Sequence, residues 1–355
     1  MLGLEAAELR LVEQWCSEGV LPFLGSLLAA CPLVSLHTPI YVLQIAVWPS
    51  ILTGASAGRH GQYVLWKQIK SGSYEMAERR APHGSQRRYF ELLEDRGVTC
   101  AVADIPADVR IPGFRGMQIV DWGTEYRFGG VETEPRGLAS RIRREIGDYP
   151  IPHGRRSGDS QQEHLELARL LDEGARRKGA LVRWLLRQRE LDHVFCVFSE
   201  MHKGAHWLWK YMDSCHVDYE ESPDSLRDAL KHICQCVDQE LGTIAGQLQP
   251  QDNLVVLSDH GMQANYRGDH LAGPFLEALG LLVRDGPSPL TESVLPRGGA
   301  RGRRAGRPSL LRRASAAAKD LVPAELRAHA KAYVNRQDID WRRTRVFTLP
   351  TDRNT

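Results

Sequence analysis

Short apolar segments separated by amphipathic stretches run through most of the chain. The segment at residues 254–257 is apolar at every position, which predicts a strand buried on both faces. Weaker signals predict the tail of a strand at the start of the chain, a strand at residues 34–36 and a last strand at residues 345–350. Four segments have the length and apolar character of core strands: residues 98–102, 117–120, 194–198 and 254–257.

Amphipathic segments with apolar residues three and four positions apart predict helices between these strands. The longest of them, residues 161–189, directly precedes the predicted strand 194–198, which is the order of a β-α-β unit. This alternation predicts an α/β fold. The predicted helices cover residues 8–16, 22–28, 90–93, 161–189, 226–248 and 275–282.

An acid and a histidine follow the apolar segment 254–257 almost at once. Asp259 and His260 should lie just beyond the carboxyl end of that strand, where open α/β sheets bind ligands. Adjacent oxygen and nitrogen donors suit a divalent metal such as zinc. The alternative is that Asp259 caps the next helix beside a surface histidine. Glu5 stands at a similar strand-to-helix junction, and its alternative role is an acid favoured by the helix dipole.

A second polar cluster follows the predicted strand 194–198. His202 and His206 are four residues apart, so a helix would point both side chains the same way, and Glu200 lies beside them. This is a second candidate metal cluster at a strand end, although two ordinary histidines remain the alternative. Residues 121–124 also follow a predicted strand and could face a cleft, but we expect them to form a surface turn.

Composition narrows the choice of function only slightly. The chain has 355 residues and a formal charge of +2, which does not favour a nucleic acid polymer as partner. No apolar segment reaches the roughly 20 residues that span a bilayer. The seven cysteines are odd in number and scattered, so we expect reduced thiols and a cytoplasmic location.

Five segments taken together resemble the alkaline phosphatase superfamily, and most closely its bacterial members grouped with type I phosphodiesterases and nucleotide pyrophosphatases. The most telling of them is the Ser-Asp-His-Gly-Met sequence at residues 258–262. All five occur in the order that the family shows. They are residues 3–7 (GLEAA), 48–61 (WPSILTG followed by RHG), 198–206 (FSEMHKGAH), 258–262 (SDHGM) and 340–347 (DWRRTRVF).

This resemblance implies a doubly wound, mostly parallel sheet with helices on both faces and two divalent metal ions, most simply Zn²⁺. It implies that Glu5, Asp259 and His260 hold one metal, and that His202 and His206 hold the other. Glu5 and His202 stand where the family usually has Asp, and both side chains still ligate metals. The implied reaction is hydrolysis of a small-molecule phosphate ester, or of a sulfate ester.

The nucleophile position of the family falls on Gln44, which is a departure from its Thr or Ser. An amide cannot form the attacking alkoxide. Ser50 and Thr53 are the nearest hydroxyls, but the resemblance makes both structural, and water activated by the metals would be the other attacker. The resemblance also implies one more histidine ligand after the final core strands. Because the sequence ends before that position, we expect this ligand to be missing, and neither His270 nor His329 can be assigned the role by pattern.

Two functions therefore compete. The first is a metal-dependent phosphodiesterase-like or pyrophosphatase-like hydrolase, with a sulfatase or phosphomutase as related alternatives; the second is a degenerate member that keeps fold and ligands without turnover. The predicted domain plan places an alkaline phosphatase-like core in residues 1–61, 190–283 and 334–355. The remainder is a substrate-selecting cap (62–149), a helical connection (150–189) and a basic flexible linker with helices (284–333).

Overall fold

The computed structural model divides into two compact units, Met1–Ala264 and Asn265–Thr355. The predicted linker residues 285–333, together with His270 and His329, lie outside the described residues. In the second unit a helix leads to a single bridge between Arg284 and Ile339. The structure describes residues 1–36, 44–62, 67–69, 76–78, 86–124, 130–152, 158, 160–188, 191–264, 271–284 and 339–347.

A six-stranded sheet forms the centre of the first unit, in the order β6-β5-β4-β7-β1-β8. The five strands from β5 to β8 in this order run parallel, and β6 pairs antiparallel at one end. Strands β2 and β3 form a separate antiparallel pair. The strands are β1 (Leu2–Leu4), β2 (Lys67–Ile69), β3 (Met76–Glu78), β4 (Cys100–Ala103), β5 (Met117–Val120), β6 (Glu132–Glu134), β7 (His193–Phe198) and β8 (Val256–Ser258).

Helices cover both faces of this sheet, so the predicted α/β class with a mostly parallel sheet is confirmed. No described helix is both long and apolar enough to cross a membrane. The described helices of the first unit are α1 (Leu9–Ser17), α2 (Pro22–Ala30), a 3-10 helix (Gln44–Ala46), α3 (Val47–Thr53), α4 (Ala57–His60), α5 (Tyr89–Glu94), α6 (Leu138–Glu145), α7 (Gln161–Leu186), α8 (Glu200–Met212), α9 (Asp224–Arg227) and α10 (Ala229–Ala245). Helix α11 (Ala272–Ala278) belongs to the second unit.

Alternate residues of the central strands belong to two separate apolar cores, as side chains on a strand point to opposite faces. In β7, Cys196 and Phe198 pack with α7, α8 and α10, whereas Phe195 and Val197 pack with α3 and α5. On β1, a Cβ atom at Gly3 would lie 2.9 Å from the ring of Trp48. Glycine therefore allows α3 to sit directly against the sheet.

Three expectations about the strands and the cap need correction. Strand β8 is not buried on both faces: it ends the described sheet, and Val255 beside it is 47% exposed. Residues 34–36 form no strand, because Val34 and Leu36 are exposed and pair with nothing in the described sheet. The segment 62–149, predicted as a cap, contributes β4, β5 and β6 to the central sheet, and its substrate-selecting role stays a prediction.

Residues 121–124 are the fourth correction, since they are buried instead of forming a surface turn. Asp121, Trp122 and Thr124 are each at most 5% exposed. The backbone amide of Trp122 donates to Oδ1 of Asp104 at 2.8 Å, which joins the segment after β5 to the residue that follows β4. These residues therefore belong to the carboxyl edge of the sheet.

A buried lysine connects α7 to that same edge. Nζ of Lys178 lies 2.7 Å from Oδ2 of Asp104 and 3.7 Å from Oε1 of Glu200, and all three side chains are fully buried. Nζ also donates to the carbonyl oxygen of Val197 at 3.1 Å. Burial alone would lower the pKa of Lys178, but the two carboxylates raise it above its ordinary value, so the ammonium group stays charged.

A second lysine extends this contact to the start of α8. Nζ of Lys203 donates to the carbonyl oxygen of Gly123 at 2.7 Å, and the hydroxyl of Tyr149 donates to Oε1 of Glu200 at 2.9 Å. Gly123 must be glycine here, because a Cβ atom would lie 2.6 Å from the Tyr149 ring. The network fixes the first turn of α8, the helix that carries His202 and His206.

We expect Lys178→Met to lower the free energy of unfolding by about 3–5 kcal/mol, because it leaves Asp104 and Glu200 buried without their cation. Urea unfolding followed by circular dichroism measures this. Lys231→Met is the control: its ammonium pairs with Glu18 at the surface, and the loss should stay within about 1 kcal/mol. Adding Asp104→Asn to Lys178→Met should restore part of the loss. Equal stability of the two single variants would contradict the structural role of Lys178.

Candidate functional site

Five of the six predicted site residues lie at the carboxyl edge of three adjacent strands. Strand β1 lies between β7 and β8, and its last residue, Leu4, is in register with Phe198 and Ser258. Glu5 directly follows β1, and Asp259 directly follows β8. Helix α8 begins two residues after β7 and carries the two histidines. The parallel register thus brings residues from three distant parts of the chain to one place.

Glu5, His202 and His206 form a chain of contacts. Nδ1 of His202 lies 3.0 Å from Oε1 of Glu5, and its Nε2 lies 2.9 Å from Nε2 of His206. Glu5 and His202 are each 1% exposed. The predicted same-face arrangement of the two histidines is present because both lie within α8, four residues apart.

Asp259 and His260 form a second group beside this chain. Oδ1 of Asp259 accepts the backbone amide of Ala6 at 3.0 Å, and Oδ2 lies 3.3 Å from Nε2 of His260. Nδ1 of His260 lies 2.8 Å from the carbonyl oxygen of Gly261, which can only accept, so we assign the hydrogen to Nδ1. The rings of His202 and His260 are 5.9 Å apart, which places the two groups side by side.

The backbone after β1 contributes to this contact. Ala6 has a φ of 55°, in the left-handed region that costs a non-glycine residue on the order of 1 kcal/mol. This conformation aims its amide at Asp259. The Ala6–Asp259 hydrogen bond therefore links the ends of β1 and β8 and holds the carboxylate in place.

Burial and neighbouring charges shift the acid constants at the site. Burial opposes ionisation of Glu5, yet its contact with His202 and the charge of Lys203 hold its pKa below the usual value. Burial raises the pKa of Asp259; His260 opposes this shift, and the charge of Glu5 adds to it. Burial lowers the pKa of His206 to about 3, with His202 acting in the same direction. His206 is thus a neutral imidazole at neutral pH, the form that ligates metals.

The donor chemistry of these five residues suits divalent metals, and part of the geometry does too. The His202 and His206 nitrogens are 2.9 Å apart, close to the separation of about 3.3 Å that two imidazoles have on a tetrahedral zinc. Oε2 of Glu5 is buried and has no hydrogen-bond partner among the described residues. The five donors form two separate groups, the chain of three residues in contact and the neighbouring pair described above. Among the described residues, the three donors that do lie within 4.8 Å of one another belong to another part of the molecule.

The hydroxyls near the expected nucleophile position serve structural roles. Gln44 begins the 3-10 helix before α3, and its side chain lies outside the described part of the structure. Nδ1 of His60 accepts the amide of Gln62 at 3.0 Å, so we assign the hydrogen to Nε2, which donates to Oγ of Ser50 at 3.0 Å. His60 therefore cannot take a proton from Ser50. Oγ1 of Thr53 donates to the carbonyl oxygen four residues earlier at 2.7 Å.

Two residues that support the site, Ser258 and Glu8, were not predicted from the sequence. Oγ of Ser258 accepts the amide of Ala7 at 3.1 Å and donates to the carbonyl oxygen of His260 at 2.9 Å. Oε2 of Glu8 accepts the amide of Met262 at 3.1 Å. These bonds fasten the segment after β8 to the segment after β1. Their closeness in sequence to Asp259 and Glu5 could have identified them as supporting residues. Only the strand order, however, shows that the two segments meet.

The chain is similar in fold to two solved structures of phosphonoacetate hydrolase from Sinorhizobium meliloti 1021. For the complex with phosphonoformate, identity is 15% and the TM-score is 0.47, over 74% of this chain and 55% of the other. For the complex with phosphonoacetate, identity is 16% and the TM-score is 0.48, over 75% and 57%. The chain thus spans little more than half the length of these structures. No match was found among curated proteins.

A sequence model of one enzyme family matches nearly the whole chain. The match covers residues 1–348 and therefore includes all five segments on which the resemblance rests. Enzymes of this kind hydrolyse phosphoric ester bonds. The chain belongs to the type I phosphodiesterase / nucleotide pyrophosphatase family.

Proposed function

We propose that the chain is a metal-dependent hydrolase that acts on a phosphate ester of a small molecule. Family membership supports ester-bond hydrolysis. The observation that carries the proposal is the meeting of two carboxylates and three imidazoles at the ends of β1, β7 and β8. Such a set of polar side chains contributes little to the stability of an apolar core, because burying polar groups costs free energy unless they are paired.

In this proposal Glu5, Asp259 and His260 hold one divalent metal, and His202 and His206 hold the other. Carboxylate and imidazole donors without a thiolate are compatible with Zn²⁺. A pair of such ions would stabilise both the attacking and the leaving oxygen of the ester. The unpartnered Oε2 of Glu5 supports a role for this residue as a ligand.

The surrounding residues would hold the donor atoms in the orientation and protonation state that metal binding requires. The Ala6 amide fixes one oxygen of Asp259, which leaves the other directed at His260. The Gly261 carbonyl holds His260 through Nδ1, so Nε2 is the nitrogen available as a donor. The low pKa of His206 keeps that imidazole free of a competing proton.

A degenerate family member that binds metal without turnover is the second candidate. The presence of Gln44 at the nucleophile position supports it, because an amide cannot supply an alkoxide. The structural use of Ser50 and Thr53 also supports it, since neither hydroxyl is paired with a base that could activate it. A sulfatase or a phosphomutase of the same superfamily would share the metal ligands, and a sulfate ester in the assay separates the first of these.

Asp259→Ala should abolish metal-dependent hydrolysis and lower the affinity for zinc. We expect an affinity loss of at least about 100-fold, because changes in residues that merely hydrogen-bond to a metal's ligands already weaken binding about 10- to 100-fold. The measurements are bound zinc by mass spectrometry and hydrolysis of an aryl phosphodiester, an aryl phosphomonoester and an aryl sulfate. Asp252→Ala, at an exposed position before the same strand, is the matched control and should leave both unchanged. Unchanged zinc affinity in Asp259→Ala would overturn the assignment of this ligand.

Gln44→Thr separates the two candidate functions. If the chain is degenerate, the original chain binds zinc but is inert, and Gln44→Thr gains hydrolysis because it restores a hydroxyl at the nucleophile position. If the chain is a hydrolase as it stands, it turns over an ester and Asp259→Ala abolishes that turnover. Gln44→Asn, which changes size without adding a hydroxyl, is the control and should gain nothing. A chain that binds no zinc in any form would contradict both candidates.

A further inference from the structure

Three metal-type donors meet between α7 and α10, at a place that the proposed function does not use. Asp172 comes from α7, and His232 and Cys236 come from α10, four residues apart on one face. One donor atom from each lies within 4.8 Å of the other two. We propose that Asp172, His232 and Cys236 bind a transition-metal ion of the zinc type and that this ion joins the two helices.

The distances are close to those of a tetrahedral metal site. Nε2 of His232 lies 3.2 Å from Oδ2 of Asp172 and 3.9 Å from Sγ of Cys236. Zinc bond lengths place such donors about 3.3 Å and about 3.6 Å apart, respectively. These two separations differ from the ligating values by a few tenths of an ångström, and the donor atoms of Asp172 and Cys236 lie within 4.8 Å of each other.

An independent observation points to a ligand at this place. Asp172 is only 9% exposed, and its Oδ1 has no hydrogen-bond partner among the described residues. A buried oxygen left without a partner destabilises the fold. A cation held between α7 and α10 would give Oδ1 of Asp172 a partner, while Oδ2 already lies beside His232.

Solvent can reach the site from the His232 side. The His232 side chain is 58% exposed, so an ion could enter there and keep a water as its fourth ligand. The nearest cation is Arg176, whose Nη2 lies 3.9 Å from Sγ of Cys236. Its side chain is 54% exposed and also lies 3.9 Å from Glu173, so it can turn outward when a metal binds.

The donor types select the class of ion. A thiolate with an imidazole and a carboxylate favours zinc, cobalt or a similar ion over Mg²⁺ or Ca²⁺, which prefer oxygen ligands. The sulfur also distinguishes this site from the candidate functional site, whose five residues include no cysteine. A thiolate signal from a bound metal therefore cannot come from the candidate functional site, and the Cys236 variant shows whether it comes from this cluster.

Cobalt titration of the full chain tests the proposal. Bound Co²⁺ should give the near-ultraviolet absorption band of a cobalt–thiolate bond, and Cys236→Ser should abolish this band. His232→Gln changes an exposed side chain and should fold normally, yet it should weaken cobalt binding at this site on the order of tenfold or more. Circular dichroism verifies the fold of each variant.

Two further variants serve as controls. The double variant Cys31→Ser/Cys215→Ser removes both exposed thiols of the described residues and should leave the band intact, which excludes adventitious binding to surface cysteines. Asp259→Ala should also keep the band, because it alters only the candidate functional site. No thiolate band in the original chain, or a band that survives Cys236→Ser, overturns the proposal, and neither result bears on hydrolysis.

Discussion

The buried ion pair between Lys178 and the carboxylates of Asp104 and Glu200 is the contact on which the arrangement of the sheet edge depends. Lys178 belongs to α7, Asp104 follows β4, and Glu200 begins α8. A charge in the interior is tolerated only when it is paired and hydrogen-bonded, so these elements hold one another in a single arrangement. A small displacement of α7 would separate the Lys178 ammonium from both carboxylates and leave these buried charges without their counter-ions.

This constraint explains how polar residues come to lie where a parallel sheet is otherwise apolar. The chain turns through a left-handed residue shortly after each of three strands: Ala6, Asp104 and Asp121 have φ values of 55°, 54° and 58°. Each such residue costs on the order of 1 kcal/mol, which hydrogen bonds at the edge offset. The amides of Ala6 and Trp122, for example, bind carboxylates that follow neighbouring strands. The sheet edge is thus shaped by polar contacts, and the candidate ligands extend the same pattern.

Local patterns in the sequence predicted the elements well, because hydrophobic periodicity is a property of a single segment. The helix Gln161–Leu186 and the strand His193–Phe198 match the predicted residues closely. Burial of β8 was predicted wrongly, since an apolar strand cannot show from its own residues that it ends the described sheet. Lys178 was missed for a similar reason: a lysine on the apolar face of α7 becomes informative only when Asp104 lies opposite.

The candidate site was predictable to the extent that it depends on chain order. The residues after β1, β7 and β8 were recognisable as donors, but their meeting requires the strand order β7-β1-β8, which no single segment contains. The supporting bonds of Ser258 and Glu8 require the same knowledge. Whether the five donors bind metal stays a proposal, since their side chains form a chain and a pair.

Helix α3, which follows Gln44, and helix α8, which carries two of the candidate ligands, lie on opposite faces of the sheet. Helix α3 packs through Trp48 and Leu52 with the core on one face of the sheet, whereas α8 packs with the core on the other face. A change at the nucleophile position therefore need not disturb the ligands. Oε2 of Glu5 is a buried oxygen without a hydrogen-bond partner in the described structure, which costs about 1–3 kcal/mol. The proposal that Glu5 ligates a metal would account for this cost, whatever group attacks the ester.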